Sequence, residues 1–389
     1  MKYDIVVIGA GIQGAGVAQA AAAAGYSVLV VEQTAPAAGT SSKSSKLIHG
    51  GLRYLETAQF GLVRESLRER ALLLRLAPEL VKLRPLHIPV YEDSTRSALT
   101  IRAGLSLYAL LAGLDKQALF TQLGRDKWSA LTGLRQDNLN AVFRYYEAQT
   151  DDAALTRSVL QSAVVLGAEL LMPARFMSAE RNGQNCRVEI MTARGNESVS
   201  CRVLVNCAGP WAGEVLARIK PALISPSVEL VQGSHLLLPP LLDQYFYLEA
   251  PQDKRAVFVL PWKGRLLVGT TEKAFSGAPE KTTCSAEERD YLLATLRHYF
   301  PQLAIPAGEV ETFAGLRVLP KSDKNAFTRS RDVMFAVDDE ARPRVLSVMG
   351  GKLTTYRATA QQAMARLLPS LPTKERRADT ALISLIPLD

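Results

Sequence analysis

Cysteine is scarce: Cys186, Cys201, Cys207 and Cys284 are the only four in 389 residues. They form no C-x-x-C pair and have no histidine near them at metal-ligand spacing, so the pattern argues against a zinc site, a redox dithiol and a disulfide-stapled scaffold, and no metal is expected. They read as buried core residues in a reducing compartment. Blocks of like charge are also missing. Lys and Arg number 46 against 38 Asp and Glu, and the net +8 is spread along the chain without a run of five or six. That speaks against nucleic acid as a partner and leaves a mild attraction to anionic lipid or small anions. Long apolar runs are absent as well. The longest, Ala103 to Leu114, is bounded by Arg102 and Asp115 and falls well short of the ~20 residues a spanning helix needs. It is long enough to lie on a membrane but not to cross one. At the N-terminus one lysine precedes an apolar run that stops at Gly9, too short for a signal peptide. The expected location is cytoplasmic, with contact at the inner face of the cytoplasmic membrane left open.

What is present is ordinary globular composition, 48% hydrophobic and 22% charged, in a chain long enough for two or three domains. The apolar run Tyr3 to Ile8 is followed by Gly9-Ala10-Gly11-Ile12-Gln13-Gly14. An alanine-rich helix then runs to Gly25, and a second apolar run, Ser27 to Val31, closes on Glu32. This predicts a βαβ unit. Leu67, Ala71, Leu74 and Leu80 predict an amphipathic helix over Ser66 to Leu83. Another is expected from Asp152, a good N-cap, to Gly167, a natural stop. Strands are expected at Ala168 to Met172, Cys186 to Ala193 and Cys201 to Cys207, the last two separated by a turn at Gly195-Asn196. Antiparallel sheet is expected at Val228 to Leu238, Ala256 to Leu260 and Arg265 to Gly269, with a turn at Trp262-Lys263-Gly264. Near its end the chain repeats the strand-glycine-helix pattern of its beginning, with a strand Val345 to Met349, Gly350-Gly351, and a helix to about Leu368.

The G-x-G-x-x-G follows a strand, opens a helix and is followed, after the next strand, by an acid, which makes it a strong dinucleotide signal. Gly9 permits the tight turn, Gly11 lets a pyrophosphate approach the helix N-terminus, and Gly14 brings helix and strand together. Glu32 suits the adenosine ribose hydroxyls. The motif alone does not separate FAD from NAD.

After it come Gly39-Thr40-Ser41-Ser42 and the run SSKLIHGGLRYLE from Ser44 to Glu56. Further on are NCAGPWA (206–212), QGSHLLLP (232–239), FVLPW (258–262), VGTTE (268–272), GLRVL (315–319) and GGKLTTYR (350–357). With these segments, in order and spanning nearly the whole chain, the sequence resembles the FAD-dependent glycerol-3-phosphate dehydrogenases of the D-amino-acid-oxidase-like flavoprotein superfamily. The resemblance implies an α/β fold: a Rossmann-like FAD-binding domain (1–80, 145–215 and 316–389) with an inserted α+β, antiparallel-sheet substrate domain (81–144 and 216–315). It implies noncovalent FAD, oxidation of sn-glycerol 3-phosphate to dihydroxyacetone phosphate, and electrons passed to membrane quinone or to oxygen. It also implies that Thr40, Ser41 and Ser42 supply hydroxyls beside the pyrophosphate and ribityl chain. Gly209, Gly350, Gly351, Lys352, Leu353 and Thr354 complete the implied cofactor set. The helix after Gly350-Gly351 is expected to aim its N-terminus, with Lys352, at the flavin edge that gains charge.

Oxidising a secondary alcohol requires a base for the hydroxyl proton while hydride leaves for the flavin. His235, in the Gly-Ser-His segment, is the candidate. His49 has a setting that favours flavin packing, and His87 and His298 have no supporting motif. An anionic substrate needs partly desolvated cations. Arg53, Arg317, Arg329 and Lys352 fall in the matching segments, with Arg317 implied near the reacting oxygen and Tyr54 and Thr271 as further substrate contacts. Two segments depart from the family pattern near the pocket: Glu272 stands where Asp is usual, and Arg331 where an aromatic is usual. Lys43 replaces a small residue beside the flavin cradle. The family's further helical C-terminal domain is expected to be absent. The stretch Ala98 to Leu114, flanked by Arg96, Arg102 and Lys116, is either an interfacial helix or a core helix. Competing substrates are another anionic 2-hydroxy acid, a hydroxyalkyl phosphonate or an amino acid. A non-catalytic FAD-binding subunit is disfavoured by the presence of His235, Arg317 and Lys352.

Overall fold

The computed structural model describes residues 2–183, 185–306, 308–321 and 332–388. Its strands form two mixed sheets, one of nine and one of ten strands, giving the expected α/β architecture. In the first, Lys2–Ile8 is central, parallel to Val28–Val31 on one side and to Gly195–Asn206 on the other. Val345–Met349 pairs parallel with Gly195–Asn206, so the far end of the chain completes the nucleotide-type core. Every residue of Val28–Val31 is buried, as is all of Lys2–Ile8 except Lys2, as expected for parallel strands covered on both faces. One face is covered by the helix Ile12–Ala23, which is buried everywhere but Gln13. Its small side chains let the helices Asp152–Val165 and Tyr356–Leu367 pack directly against it. On the other side, Ala174–Asn182 and Asn185–Thr192 form an antiparallel meander with Gly195–Asn206.

The second sheet is built around Val228–Leu238, which pairs over ten residues with Glu311–Pro320 and, at its far end, with Arg265–Gly269. Ala256–Trp262 and Arg265–Gly269 are joined at Lys263 and Gly264, both at positive φ, the twist-matched hairpin turn. Val81–Tyr91 and Leu139–Thr150 extend the sheet as a long antiparallel pair. Leu139–Thr150 and Glu311–Pro320 run through the boundaries expected at 145 and 316. We therefore place any division into two domains by sheet membership rather than at those positions.

Several local expectations are corrected. The helix expected over Ser66 to Leu83 is Phe60–Leu76: Pro78 cannot continue it and disfavours helical geometry at Ala77, and a strand starts at Val81. The cap of Asp152–Val165 is Asp151, whose carboxylate accepts from the Ala154 N–H, while Asp152 turns inward. The hairpin turn is at Ala193-Arg194, with Gly195 already paired to Thr192. The helix after Gly350-Gly351 starts only at Tyr356, because both glycines sit at positive φ, outside right-handed helical space. No described helix is long and apolar enough to cross a membrane.

Candidate active site

A cleft of about 630 Å³ runs from the first glycine turn to the wall formed by Val228–Leu238 and Glu311–Pro320. At one end the backbone forms the surface. An added Cβ at Gly14 would stand 1.9 Å from the Gly9 oxygen, so only glycine lets the helix start against the turn. Gly9 and Gly11 line the cleft whereas Gly14 lies behind them. The Ile12 N–H donates to Ser41 Oγ at 2.9 Å, bringing the Thr40–Ser42 turn to the helix N-terminus. Glu32 is fixed by two backbone donors, Ala10 N–H at 2.8 Å and Thr34 N–H at 2.9 Å, with its carboxylate at the cleft wall. Thr40 lines the cleft while its hydroxyl donates to the Leu316 carbonyl, stitching the turn to the second sheet. Ser42 does not line the cleft; its hydroxyl donates to the Gly39 carbonyl. Gly209, Gly350, Gly351, Lys352, Leu353 and Thr354 all border the same space.

At the other end side chains form it. His235 and Arg317 stand on neighbouring antiparallel strands. Each is seated over a glycine: an added Cβ at Gly233 would meet the Arg317 guanidinium at 2.5 Å, and one at Gly269 would meet the His235 ring at 2.2 Å. Arg317 donates to the Thr271 carbonyl (3.2 Å) and to Thr270 Oγ1 (3.0 Å). Glu272 lies 3.9 Å from both Arg317 and Arg53, joining the two cations through one carboxylate. Arg53 also donates to the Tyr54 hydroxyl at 3.4 Å, and the Lys352 ammonium sits 4.1 Å from the centre of the Tyr54 ring. His235 is 1% exposed and stacked on Phe313 at 4.8 Å. Burial first, then the positive charges of Arg317 and Lys46, push its pKa well below the ordinary histidine value. It is therefore a neutral imidazole rather than one poised near neutrality.

Thr271 is placed differently from the expectation. Its hydroxyl accepts from the Ser234 N–H and donates to Glu288, so it points into the protein, and Thr270 takes its place on the cleft wall. Arg329 and Arg331 lie outside the described residues. His49 borders the cleft against Phe258, whereas His87 packs against Phe246 away from it.

Two networks have little or no signature in the sequence. Lys46, buried and at positive φ, donates to Asp152 Oδ1 and to the Ser42 carbonyl, each at 2.7 Å. Asp152 Oδ2 also accepts from the Ser44 N–H and hydroxyl, so one carboxylate clamps the loop that carries Ser45. Glu147, buried beneath His49-Gly50-Gly51, accepts from Arg70 (2.6 Å), from the Tyr108 hydroxyl and from the Gly50 N–H (3.3 Å). Only the run Ser44-Ser45-Lys46 carries a signal for the first; nothing local marks Glu147 or Tyr108.

A nucleotide-type sheet, a glycine turn at a helix N-terminus and a second sheet walling a shared cleft define a two-sheet, dinucleotide-dependent oxidoreductase. The family described as FAD dependent oxidoreductase matches residues 4–357, and the chain belongs to it. A glycerol-3-phosphate dehydrogenase of Pseudomonas tolaasii is 38% identical over 98% of this chain and 74% of its own length. A D-erythritol 1-phosphate dehydrogenase of Brucella abortus is 36% identical over 95% of this chain and 74% of its own. Among solved structures, the glycerol-3-phosphate dehydrogenase of Bacillus halodurans complexed with FAD superposes with a TM-score of 0.75 at 26% identity, covering 99% of this chain and 68% of that one. The cofactor is FAD. The cradle fits it: a side chain at Gly9 would strike the Cys207 carbonyl at 2.8 Å, and one at Gly11 would reach Ser41 Oγ at 3.2 Å, leaving backbone alone to face a pyrophosphate.

Proposed function

We propose that this enzyme oxidises sn-glycerol 3-phosphate to dihydroxyacetone phosphate. The observation that carries the reading is the convergence of Arg53, Arg317 and Lys352 with His235 on the cleft that begins at the glycine turn. Bound FAD would supply the acceptor for the hydride, which carries both electrons. The residues of the chain do the rest. Lys352 and Arg53 offer a cationic seat for a phosphate dianion. Arg317, anchored by Thr270 and Thr271, offers positive charge to the oxygen that becomes the carbonyl. The neutral His235 draws off the hydroxyl proton. Tyr247 and Phe258 close the apolar side of the cleft and limit water.

A second substrate, a four-carbon polyol phosphate, is favoured by the Brucella relative. One experiment separates the two: anaerobic addition of each phosphate to the yellow protein, following loss of oxidised flavin absorbance. Bleaching by glycerol 3-phosphate at the lower concentration supports the reading, and bleaching only by erythritol phosphate replaces it.

For the acceptor we propose membrane quinone, with oxygen as the competitor. The helix Ala98–Leu111 exposes Leu99 and Leu110, with Leu114 just beyond it, and buries Leu105 and Tyr108 on its other face. Of the basic residues in and beside it, Arg96 is bound to Glu56 and Glu249 and Arg102 to Gln122, leaving exposed Lys116 to meet anionic headgroups. Flotation with anionic liposomes at low salt tests this, and a protein that stays at the bottom of the gradient overturns it.

A further inference from the structure

His235 faces a difficulty as the base that touches substrate. The ring is 1% exposed, one face lies flat on Phe313 at an interplanar angle of 13°, and its edge is pressed over Gly269. Its Nδ1 is buried with no hydrogen-bond partner among the described residues, and its Nε2 is 2.8 Å from Ser45 Oγ. Ser45 borders the same cleft as the ring and, unlike the ring, is only half-buried. Its position is held from both neighbours, since Ser44 and Lys46 are each fastened to the Asp152 carboxylate. A hydroxyl pinned in this way between an open cleft and a buried imidazole nitrogen is preorganised to pass a proton inward.

We propose that Ser45 is a catalytic residue, the proton carrier between the substrate hydroxyl and His235. The inference rests on the oxidation proposed above. In the step, the substrate O–H bond breaks and its proton goes to Ser45 Oγ as the Ser45 proton goes to His235 Nε2. The carbon–hydrogen bonding pair leaves as hydride to oxidised FAD, and the remaining electrons form the C=O bond. His235 ends as an imidazolium, which Arg317 and Lys46 disfavour, so the proton is returned to solvent as product leaves. Before the reaction Nε2 must be unprotonated and Nδ1 must carry the hydrogen.

That tautomer is the first test and needs no substrate. The chain has four histidines, so ¹⁵N-histidine labelling of the FAD-loaded protein, with His235→Asn to assign the signal, reads the ring directly. An unprotonated Nε2 beside a protonated Nδ1 is expected, and a protonated Nε2 overturns the proposal. The second test is anaerobic reduction by the polyol phosphate that bleaches the wild type. Ser45→Ala is expected to keep its flavin spectrum, lose about 10²-fold in reduction rate with KM nearly unchanged, and lose the solvent deuterium effect. Ser45→Thr, which keeps the hydroxyl, is expected to recover most of the rate. A Ser45→Ala rate within threefold of wild type with the solvent effect intact overturns the proposal. If Ser45→Ala does not take up FAD, Ser45→Thr decides in its place: a rate near wild type with the solvent effect retained supports the relay, and loss of that effect sinks it. Failure of every polyol phosphate to bleach the wild type would refute the proposed function, while the tautomer would still decide the Ser45–His235 pairing.

Discussion

The two ends of the cleft solve recognition differently. At the glycine turn the functional groups are backbone, supplied by residues 9–14 and aimed by one strand and one helix, with Glu32 a strand away. At the other end they are side chains drawn from segments far apart in the chain: Arg53, His235, Arg317 and Lys352. The first needs little beyond close approach. The second needs each cation and the imidazole held against its own desolvation, so it rests on buried ionic networks: Lys46 with Asp152, Arg70 with Glu147, and Arg357 with Glu69. Backbone recognition is thus local and tolerant of chemistry but intolerant of volume, whereas side-chain recognition tolerates volume at its glycines poorly and loss of a distant partner even less.

The largest expected effect breaks the cofactor end by volume alone. Gly14→Ala places a methyl 1.9 Å from the Gly9 oxygen, a backbone atom of the turn that leaves the central strand, and the methyl itself is fixed to the helix backbone. The helix must withdraw, and the flavin-to-protein ratio of the purified variant is expected to fall at least about tenfold. Arg317→Ala is the matching substitution at the other end: a yellow protein of normal flavin content, reduced about 10²-fold more slowly. A Gly14→Ala protein that stays yellow, or an Arg317→Ala protein that comes out colourless, would erase the distinction between the two ends.

The same distinction governs what is legible in the sequence. The strand Val345–Met349 and the G-x-G-x-x-G turn are where local pattern puts them, because contiguous residues carry both. The place of Thr271 in its segment points to substrate, yet the hydroxyl is already taken by Ser234 and Glu288, from elements 37 and 17 residues away. No local rule reports that. Asp152 reads as a helix cap, and the neighbouring Asp151 caps instead, since Lys46, from a distant loop, claims the Asp152 carboxylate. The glycine pair at 350 and 351 suggests a helix start, but two successive positive φ angles postpone it to Tyr356.

Asp152 offers the next effect in size. Its side chain is fully buried and that of Lys46 is 9% exposed, so Asp152→Ala strands an ammonium that keeps, among the described residues, the Ser42 carbonyl and two aromatic faces. Breaking one partner of such a pair costs about 3–5 kcal/mol, and denaturant unfolding should show a loss of that order. Asp152→Ala with Lys46→Met should regain much of it, because no buried charge remains. A single variant within about 0.5 kcal/mol of wild type would show that the pair is solvated and that Ser45 is not held through it.

The smallest effect tests whether His235 is neutral. Its folded pKa lies well below that of an unfolded histidine because burial and the Arg317 and Lys46 cations oppose its charge; burial lowers His87 and His298 as well. Below about pH 6.5 the unfolded chain then binds protons that the folded one refuses. The sign follows: stability is fully present above about pH 6.5 and falls as the pH drops through that value toward the lowered folded pKa. Each fully excluded proton contributes a slope of about 1.4 kcal/mol per pH unit. The measurement is the difference between wild type and His235→Asn, since carboxylates add their own acid loss to both and cancel. The variant's stability should decline less steeply between about pH 6.5 and 5, by close to one proton's worth. Parallel curves would mean that His235 accepts a proton in the folded state at the same pH as in the unfolded chain. The imidazole would then be charged at mildly acidic pH, and its role as a neutral acceptor would hold only above that range.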